Sequence, residues 1–196
     1  LKEKDLIQKK MSKSLTRLTY HDYSIQQMRE YLSTIEPFNQ ELDEEVLQSL
    51  QKKGFLDDER FIYELLERYQ ERGYGRYRIA KNFEKYQFDE ALVELVMEIV
   101  SRKQEVQMKE QFEKAINSNL KGSTISVKSK ISDKLIRQGF EASDVTELLA
   151  SSDIKCDETD SCRIDLNKLK RKETDPFILK QKLSQRGYKM DSIKKV

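Results

Sequence analysis

The sequence is poor in the residues that build β-rich folds and metal sites. Its 196 residues include only two prolines and six glycines, so β-sandwiches and β-barrels lack the turn residues on which they depend. Two cysteines and one histidine do not complete a structural zinc site, and cysteines without a secretory signal rarely form a disulfide framework. We therefore expect no metal, no cofactor and no disulfide framework.

Long apolar runs and enzyme signatures are also missing. No apolar run approaches the roughly 20 residues of a membrane-spanning helix, and no segment resembles a signal peptide. The sequence contains no glycine-rich phosphate loop, no zinc-ligand spacing and no nucleophile–histidine arrangement typical of a catalytic site. These absences predict a cytoplasmic protein that has no membrane contact and no enzymatic activity.

What the sequence has in abundance is charge. Charged residues make up 37% of the chain and the mean hydropathy is −0.80, a balance that suits a stack of small helical units better than one thick core. The net charge of +2 is unevenly distributed. Residues 36–67 carry ten acidic and three basic side chains, whereas residues 163–195 carry eleven basic and four acidic ones. Such asymmetry can orient a protein on a charged partner, although charge runs are also typical of solvated faces.

Start and stop signals for helices recur along the chain. Ser24 and Gln27 have the spacing of a capping box. Gly54 ends one helix, an aspartate at 57 or 58 caps the next, and Gly73 ends that one in turn. Helices that close successive units are expected at residues 58–72, roughly 101–117 and roughly 160–172, with a turn-rich linker at 117–126 and a loop at 151–160.

The strongest long-range pattern is a repeat of about 50 residues. Its apolar anchors are Phe83, Leu135 and Leu183, which lie 52 and 48 residues apart. Each anchor is followed five residues later by an aromatic residue and then by a second helical pattern. The alternative is one irregular bundle whose helix pairs match by chance. The coincidence of several positions favours the repeat.

These patterns predict an all-α fold, an elongated and curved array of tandem three-helix repeats. The expected divisions are an N-terminal helical segment at 1–19, three repeats at 20–72, 73–119 and 120–172, and the start of a further, truncated helix pair at 173–196.

Residues 54–61, with the sequence GFLDDERF, resemble a motif of the RecX family, the regulators of the RecA recombinase. The resemblance extends upstream through residues 18–24 and downstream through residues 72–76, and it covers about residues 14–100. Two features depart from the family pattern. His21 stands where arginine is usual, which weakens a possible anion contact, and Tyr86-Gln87 replaces a common Lys-Gly pair at a helix end.

The resemblance implies a curved, nine-helix molecule that lodges in the groove of RecA filaments. Family members suppress the ATPase, strand-exchange and coprotease activities of RecA, and thereby modulate DNA repair and the SOS response. The implied partners are RecA and its nucleoprotein filament, bound by a monomer. Some members also bind DNA, so a helical-repeat protein that binds single-stranded or duplex DNA directly is the alternative.

The family motif itself has a structural explanation. We expect a glycine turn, two apolar residues in the core and an aspartate cap, and we expect no metal or acid–base role for the paired aspartates because adjacent carboxylates at a helix start are usually caps. The residues assigned to this structural motif are Ser24, Gly54, Phe55, Leu56, Asp57, Asp58, Phe61 and Gly73.

Two basic sets are the candidates for binding RecA or DNA. The first surrounds the turn between the first two repeats, where Tyr69, Tyr74 and Tyr77 are interleaved with the cations and could stack bases. The second has the spacing of one helical face. The alternative is a solvated rim with half-buried tyrosines. The candidates are Arg68, Arg72, Arg76, Arg78, Lys81 and Lys85 in the first set, and Lys168, Arg171 and Lys172 in the second.

Overall fold

The computed structural model describes residues 2–119, 121–154, 156 and 158–196. Over these residues the chain contains eleven α-helices, one 3-10 turn at Glu84–Tyr86 and no strand, which confirms the predicted all-α fold class. The helices are α1 (Lys2–Leu18), α2 (Ile25–Ser33), α3 (Gln40–Lys52), α4 (Asp58–Glu71), α5 (Arg76–Phe83), α6 (Glu90–Asn119), α7 (Thr124–Gln138), α8 (Ala142–Ser151), α9 (Glu158–Leu169), α10 (Pro176–Gln185) and α11 (Met190–Lys194). None of these helices is long and apolar enough to cross a membrane.

The helices form two compact units. Unit 1 extends through Lys103 and unit 2 begins at Gln104. Unit 1 has one buried cluster on helices α2 and α3 and a second on α4, α5 and the first part of α6. Unit 2 likewise has a cluster on the rest of α6 with α7 and α8, and another on α9, α10 and α11. Each unit therefore consists of two adjoining helical groups.

Helix α6 is longer than the sequence analysis predicts. It runs unbroken from Glu90 to Asn119, whereas a separate helix was expected from about residue 101. The prediction was wrong because no glycine, proline or cap interrupts the helix there. The Ser101 hydroxyl does not cap a new helix but donates a hydrogen bond to the Met97 carbonyl at 2.9 Å, four residues earlier in the same helix.

Two other boundaries differ from those predicted. Helix α9 begins at Glu158 and ends at Leu169, not at residue 172. The linker expected at 117–126 is shorter, since α7 already begins after Ser123, whose side chain accepts a hydrogen bond from the Ser126 amide at 3.2 Å. The loop expected at 151–160 lies between α8 and α9, and its residues 155 and 157 fall outside the described residues. The divisions between repeats stay a prediction.

The repeated anchors occupy matching local surroundings. Phe83, Leu135 and Leu183 are all buried. Four residues after each anchor the backbone turns into the left-handed region, with φ of 52° at Gln87, 94° at Gly139 and 82° at Gly187. The aromatic residue that follows each of these turns is buried. The recurrence predicted from the sequence is therefore present in the structure at these positions.

Each unit contains a long-range contact made by a helix-capping serine. In unit 1 the buried hydroxyl of Ser24 caps α2, as the capping box predicts, and also donates to the carbonyl of Tyr86. In unit 2 the buried hydroxyl of Ser123 caps α7 and donates to the carbonyl of Arg186 at 2.7 Å. The serines are 99 residues apart and their acceptors are 100 residues apart. The units thus correspond to each other at an offset of 99–100 residues.

A hydrogen bond to a carboxylate recurs in the two units at the same offset. The amide of Ile25, the first residue of α2, donates to Asp58 at 2.9 Å. The amide of Thr124, the first residue of α7, donates to Glu158 at 2.7 Å. Both carboxylates stand at the first residue of a later helix, and they are 100 residues apart. Two independent contacts therefore define the same alignment of unit 1 with unit 2.

Gln87 is the one described residue other than glycine with a positive φ, and it permits a test of the turn that follows each anchor. Glycine at this position removes a left-handed strain of about 1–2 kcal/mol while adding about 0.5–1 kcal/mol of chain entropy to the unfolded state. We expect Gln87→Gly to raise the free energy of unfolding, measured in urea, by about 0.5–1 kcal/mol. Gln87→Ala is the matched control because alanine keeps the Cβ; an equal gain from both variants would contradict the explanation.

Candidate functional site

The residues of the RecX-like motif mainly build the connection between α3 and α4. Gly54 has a φ of 73°, and the amide of Phe55 donates to the Leu50 carbonyl at 2.9 Å to close the helix end. Leu56 is buried as expected, but the expectation that Phe55 is also a core residue is wrong, since 49% of it is exposed. After the sharp turn at Gly54 the two successive side chains point in different directions, and Leu56 takes the inward position. Phe61 joins the core of α4.

The paired aspartates have separate capping roles. Asp57 caps its own helix by accepting from the Arg60 amide at 2.9 Å, whereas Asp58 accepts from Ile25 at the start of α2. Burial raises the pKa of Asp58; the hydrogen bond from Ile25 opposes this rise and the charge of Asp57 adds to it. Among the described residues no group of three histidine, cysteine, aspartate or glutamate side chains could hold a metal ion.

The first set of cations lies around the turn between α4 and α5, on both helices and as far as the 3-10 turn, and all of its members are exposed. Arg72 is the C-cap residue of α4, and Arg76 is the first residue of α5. Between them Gly73 is left-handed, with a φ of 71°, and the amide of Tyr74 donates to the Tyr69 carbonyl at 3.0 Å. Arg72 and Arg76 form no ion pair with any described residue. The turn therefore presents two charged guanidinium groups on a backbone fixed by hydrogen bonds.

Neighbouring cations of the first set already have intramolecular contacts. Arg68 lies 3.5 Å from the carboxylate of Asp22, a partner that sequence patterns did not identify. Lys85 donates to the Asn82 side chain at 3.3 Å. The guanidinium of Arg78 stacks on the ring of Tyr74, with 4.0 Å between the guanidinium carbon and the ring centroid.

The tyrosines of this region differ in exposure. Tyr69 is buried, and burial raises the pKa of its phenol to about 12. Tyr74 stacks on Tyr69 with ring centroids 5.7 Å apart and carries Arg78 against its own ring. Tyr77 is 56% exposed and lies on the outer face of α5 near Lys81. The structure thus leaves one of the three rings, that of Tyr77, on the surface.

The second set of cations does not form the helical face that its spacing predicted. Lys168 belongs to α9 and pairs with Asp165 at 3.4 Å. Arg171 and Lys172 are exposed but lie in the turn after α9 ends at Leu169. The amide of Lys172 donates to the Leu169 carbonyl at 2.9 Å, three residues back, which closes this turn. The prediction was wrong because the helix is shorter than its charge pattern suggested.

A buried ion pair anchors the N-terminal helix and was not predicted. Lys10 of α1 is fully buried, pairs with Asp43 of α3 and also donates to the Leu32 carbonyl at 3.3 Å. A sequence signal was available: Lys10 lies three residues after Ile7 and four before Ser14 on the inward stripe of α1. A charged residue in such a stripe needs a buried partner.

Comparison with known proteins agrees with this helical architecture. No protein-family model matches the sequence, and no curated protein matches it. The fold is that of an all-helical repeat protein, and it is similar to a crystal structure of RecX from Lactobacillus salivarius. The two share 18% sequence identity and a TM-score of 0.62 over 77% of this chain and 99% of that chain. A second crystal structure, of a regulatory protein RecX, has 18% identity and a TM-score of 0.57 over 76% of this chain and 74% of the other.

These similarities confirm, at the level of the fold, the resemblance to RecX that the motif around residues 54–61 predicted. The particular candidate cations stay a prediction, because their role does not follow from a shared fold.

Asp58 and Glu158 should respond to pH in opposite directions. Although burial alone would raise the pKa of Glu158, hydrogen bonds from Thr124, Lys189 and Ser192 outweigh it and lower that pKa. The stability that Glu158 contributes is therefore present above its ordinary value of 4.5 and is lost as the pH falls through the lower folded value. For Asp58 the folded pKa is raised above 3.8, so its ionisation opposes folding as the pH rises.

We therefore expect Glu158→Gln to destabilise the protein most at pH 7 and progressively less towards pH 3, measured by urea denaturation. Asp58→Asn keeps an acceptor oxygen but removes the ionisation that opposes folding. The free energy of unfolding of this variant, relative to wild type, should therefore be higher at pH 7 than at pH 3. Parallel pH profiles for the two variants would contradict these assignments.

Proposed function

We propose that this protein binds RecA or the RecA–single-stranded-DNA filament and inhibits its recombinase, ATPase and coprotease activities, so that it modulates DNA repair and the SOS response. The observation that carries the proposal is the similarity of the fold to two RecX structures, one of them covered over 99% of its length. The motif at residues 54–61 supports it independently, because it was recognised from sequence alone.

The exposed turn between α4 and α5 is the proposed contact surface. Arg72 and Arg76 have no ion-pair partner among the described residues, so a partner's carboxylates or phosphates can take both without breaking an internal pair. Helix α3 of the same unit is acidic, with Glu41, Glu44 and Glu45 along it. Unit 1 therefore carries both signs of charge, which suits a filament made of protein and nucleic acid.

Charge reversal at the turn tests this surface. Arg72→Glu/Arg76→Glu places like charges against an acidic partner, so we expect the concentration needed for half-maximal inhibition of RecA's DNA-dependent ATPase to rise by about tenfold or more. The far-UV circular dichroism spectrum should not change, because both side chains are exposed and lie at helix ends.

The matched control is Arg60→Glu/Arg102→Glu, which changes the net charge equally at two exposed positions of unit 1 outside the turn. It should leave inhibition within about twofold of wild type. Equal losses from both double variants would mean that net charge alone matters and would remove the turn from the mechanism. A wild-type protein that does not affect the ATPase would overturn the proposed function.

The second candidate function is direct binding to DNA, favoured by the exposed ring of Tyr77 beside the cations of α5. Neutralising six to ten phosphates makes affinity fall by about 10³–10⁵-fold between 50 and 200 mM salt. Binding to naked single strands that disappears over this range, while inhibition of the filament persists, would favour the protein-directed function. Parallel loss of both would favour direct DNA binding.

A further inference from the structure

Unit 2 contains an open pocket that none of the contacts described above explains. Its volume is about 690 Å³, and it lies between the start of α7, the outer face of α9 and the end of α10. Four of its lining side chains are cationic: Lys121, Lys130, Lys168 and Arg186. Lys168 is among the candidate binding residues named from the sequence, and Arg186 belongs to the same basic segment of the chain. Lys121 and Lys130 are brought to these two by the fold.

The carboxylates at the pocket do not balance these cations. Asp165 accepts from Arg186 at 2.9 Å, from the Tyr188 hydroxyl at 3.1 Å and from Lys168 at 3.4 Å, so it fixes two of the cations on the wall. Burial alone would raise the pKa of Asp165, but these hydrogen bonds outweigh it and lower that pKa, so the group is ionised at neutral pH. The only other lining carboxylate, Asp160, already pairs with Arg163 outside the pocket at 3.4 Å. An excess of positive charge remains.

Unit 1 shows what occupies the corresponding space when no pocket forms. At the offset of 100 residues Ser161 corresponds to Phe61, and Arg186 corresponds to Tyr86. The rings of Phe61 and Tyr86 pack edge to face with centroids 5.1 Å apart. In unit 2 a small hydroxyl and a guanidinium stand where these two rings meet, which leaves the space open.

The second wall of the pocket has diverged in the same way. At the offset of 99 residues Lys130 corresponds to Tyr31. In unit 1 the ring of Tyr31 is covered by the guanidinium of Arg17 at 4.2 Å. Asp165, which orients two of the pocket's cations, corresponds to the buried Leu65. The same backbone frame is therefore filled with rings and apolar side chains in unit 1 and lined with cations and hydroxyls in unit 2.

The chemistry of the lining selects a phosphate group. Like charges around one concavity repel, and an anion placed among them relieves that repulsion. The lining offers ammonium, guanidinium and hydroxyl donors from several directions, which matches the multiple acceptor oxygens of a phosphate. The Ser161 oxygen accepts from the Gly122 amide at 3.0 Å, so its own hydrogen remains available to a ligand. The half-exposed side chain of Ile164 adds an apolar edge for the group that carries the phosphate.

We propose that this pocket of unit 2 binds a phosphate group, belonging either to a free nucleotide or to a nucleic-acid strand. The inference does not depend on the proposed regulation of RecA, because the pocket is formed entirely by residues 121–188 of unit 2. If the phosphate belongs to a strand, the pocket adds a contact to the second candidate function, at a place other than the turn between α4 and α5.

The test uses the full chain and two probes, pyrophosphate and an oligothymidylate of about 15 nucleotides. Each probe is titrated into the protein at low salt, and binding is measured by calorimetry. Lys130→Gln removes one cation, which donates a hydrogen bond to the Lys121 carbonyl at 3.3 Å, and it should weaken binding of each probe about tenfold. Lys194→Gln is the matched control, because it removes an exposed cation of α11 that neither lines the pocket nor pairs with one of its carboxylates. It should leave affinity within about twofold of wild type.

A filling variant makes a second, independent test. Ser161→Phe/Arg186→Tyr restores the ring pair of unit 1 and should abolish binding of both probes while the helical circular dichroism spectrum is kept. Should this variant misfold, Lys130→Gln alone still decides the matter, since Lys130 is exposed.

Binding of pyrophosphate that is weakened by Lys130→Gln and not by Lys194→Gln supports a free nucleotide as the source. Binding of the oligonucleotide alone, with the same pattern among variants, supports a strand. Binding of neither probe, or equal binding by wild type and Lys130→Gln, would overturn the proposal. A polyglutamate peptide that binds more tightly than both probes would also overturn it, by assigning the pocket to carboxylates.

Discussion

A buried serine hydroxyl that serves two distant segments at once is the contact on which each unit depends. Ser24 and Ser123 are 0% and 1% exposed. Each accepts from the amide of its own first helical turn and donates to a carbonyl more than 60 residues later. Leaving a buried polar group without a partner costs about 1–3 kcal/mol. The start of a helix and a remote turn must therefore form together, which couples the two helical groups within a unit.

This coupling explains which features the sequence could predict. The Ser24 capping box, the turn at Gly54 and the Asp57 cap depend on residues a few positions apart, so their signals are local. The contact of Asp58 with Ile25 joins residues 33 positions apart, and no local pattern distinguishes it from an ordinary cap. For the same reason the sequence did not reveal that Asp22 pairs with Arg68. Sequence patterns thus located the helices well and their tertiary partners poorly.

At the candidate site, too, local features were predicted and tertiary arrangements were not. Arginines near a glycine turn are exposed almost wherever they occur, so the exposure of the first set was easy to predict. The prediction that the second set shares one helical face was wrong, because α9 ends at Leu169. The pocket of unit 2 escaped detection for a different reason. The anchors Phe83 and Leu183 already lie 100 residues apart, but apolar anchors do not show which polar side chains meet around a cavity. This longer offset, twice the period, places Arg186 opposite Tyr86.

Comparing the two units at this longer offset distinguishes the residues that hold the fold from those that line the pocket. Both units keep the serine and the carboxylate that hold the helices in place, so those residues are constrained by folding. The ring pair of Phe61 and Tyr86 contributes packing to unit 1, and its replacement by Ser161 and Arg186 gives up that packing. Within unit 2 Arg186 gains one contact, its ion pair with Asp165, but the like charge gathered around the cavity is not balanced by the lining carboxylates. The presence of this unbalanced charge within an otherwise retained frame is what distinguishes a binding pocket from a packing defect.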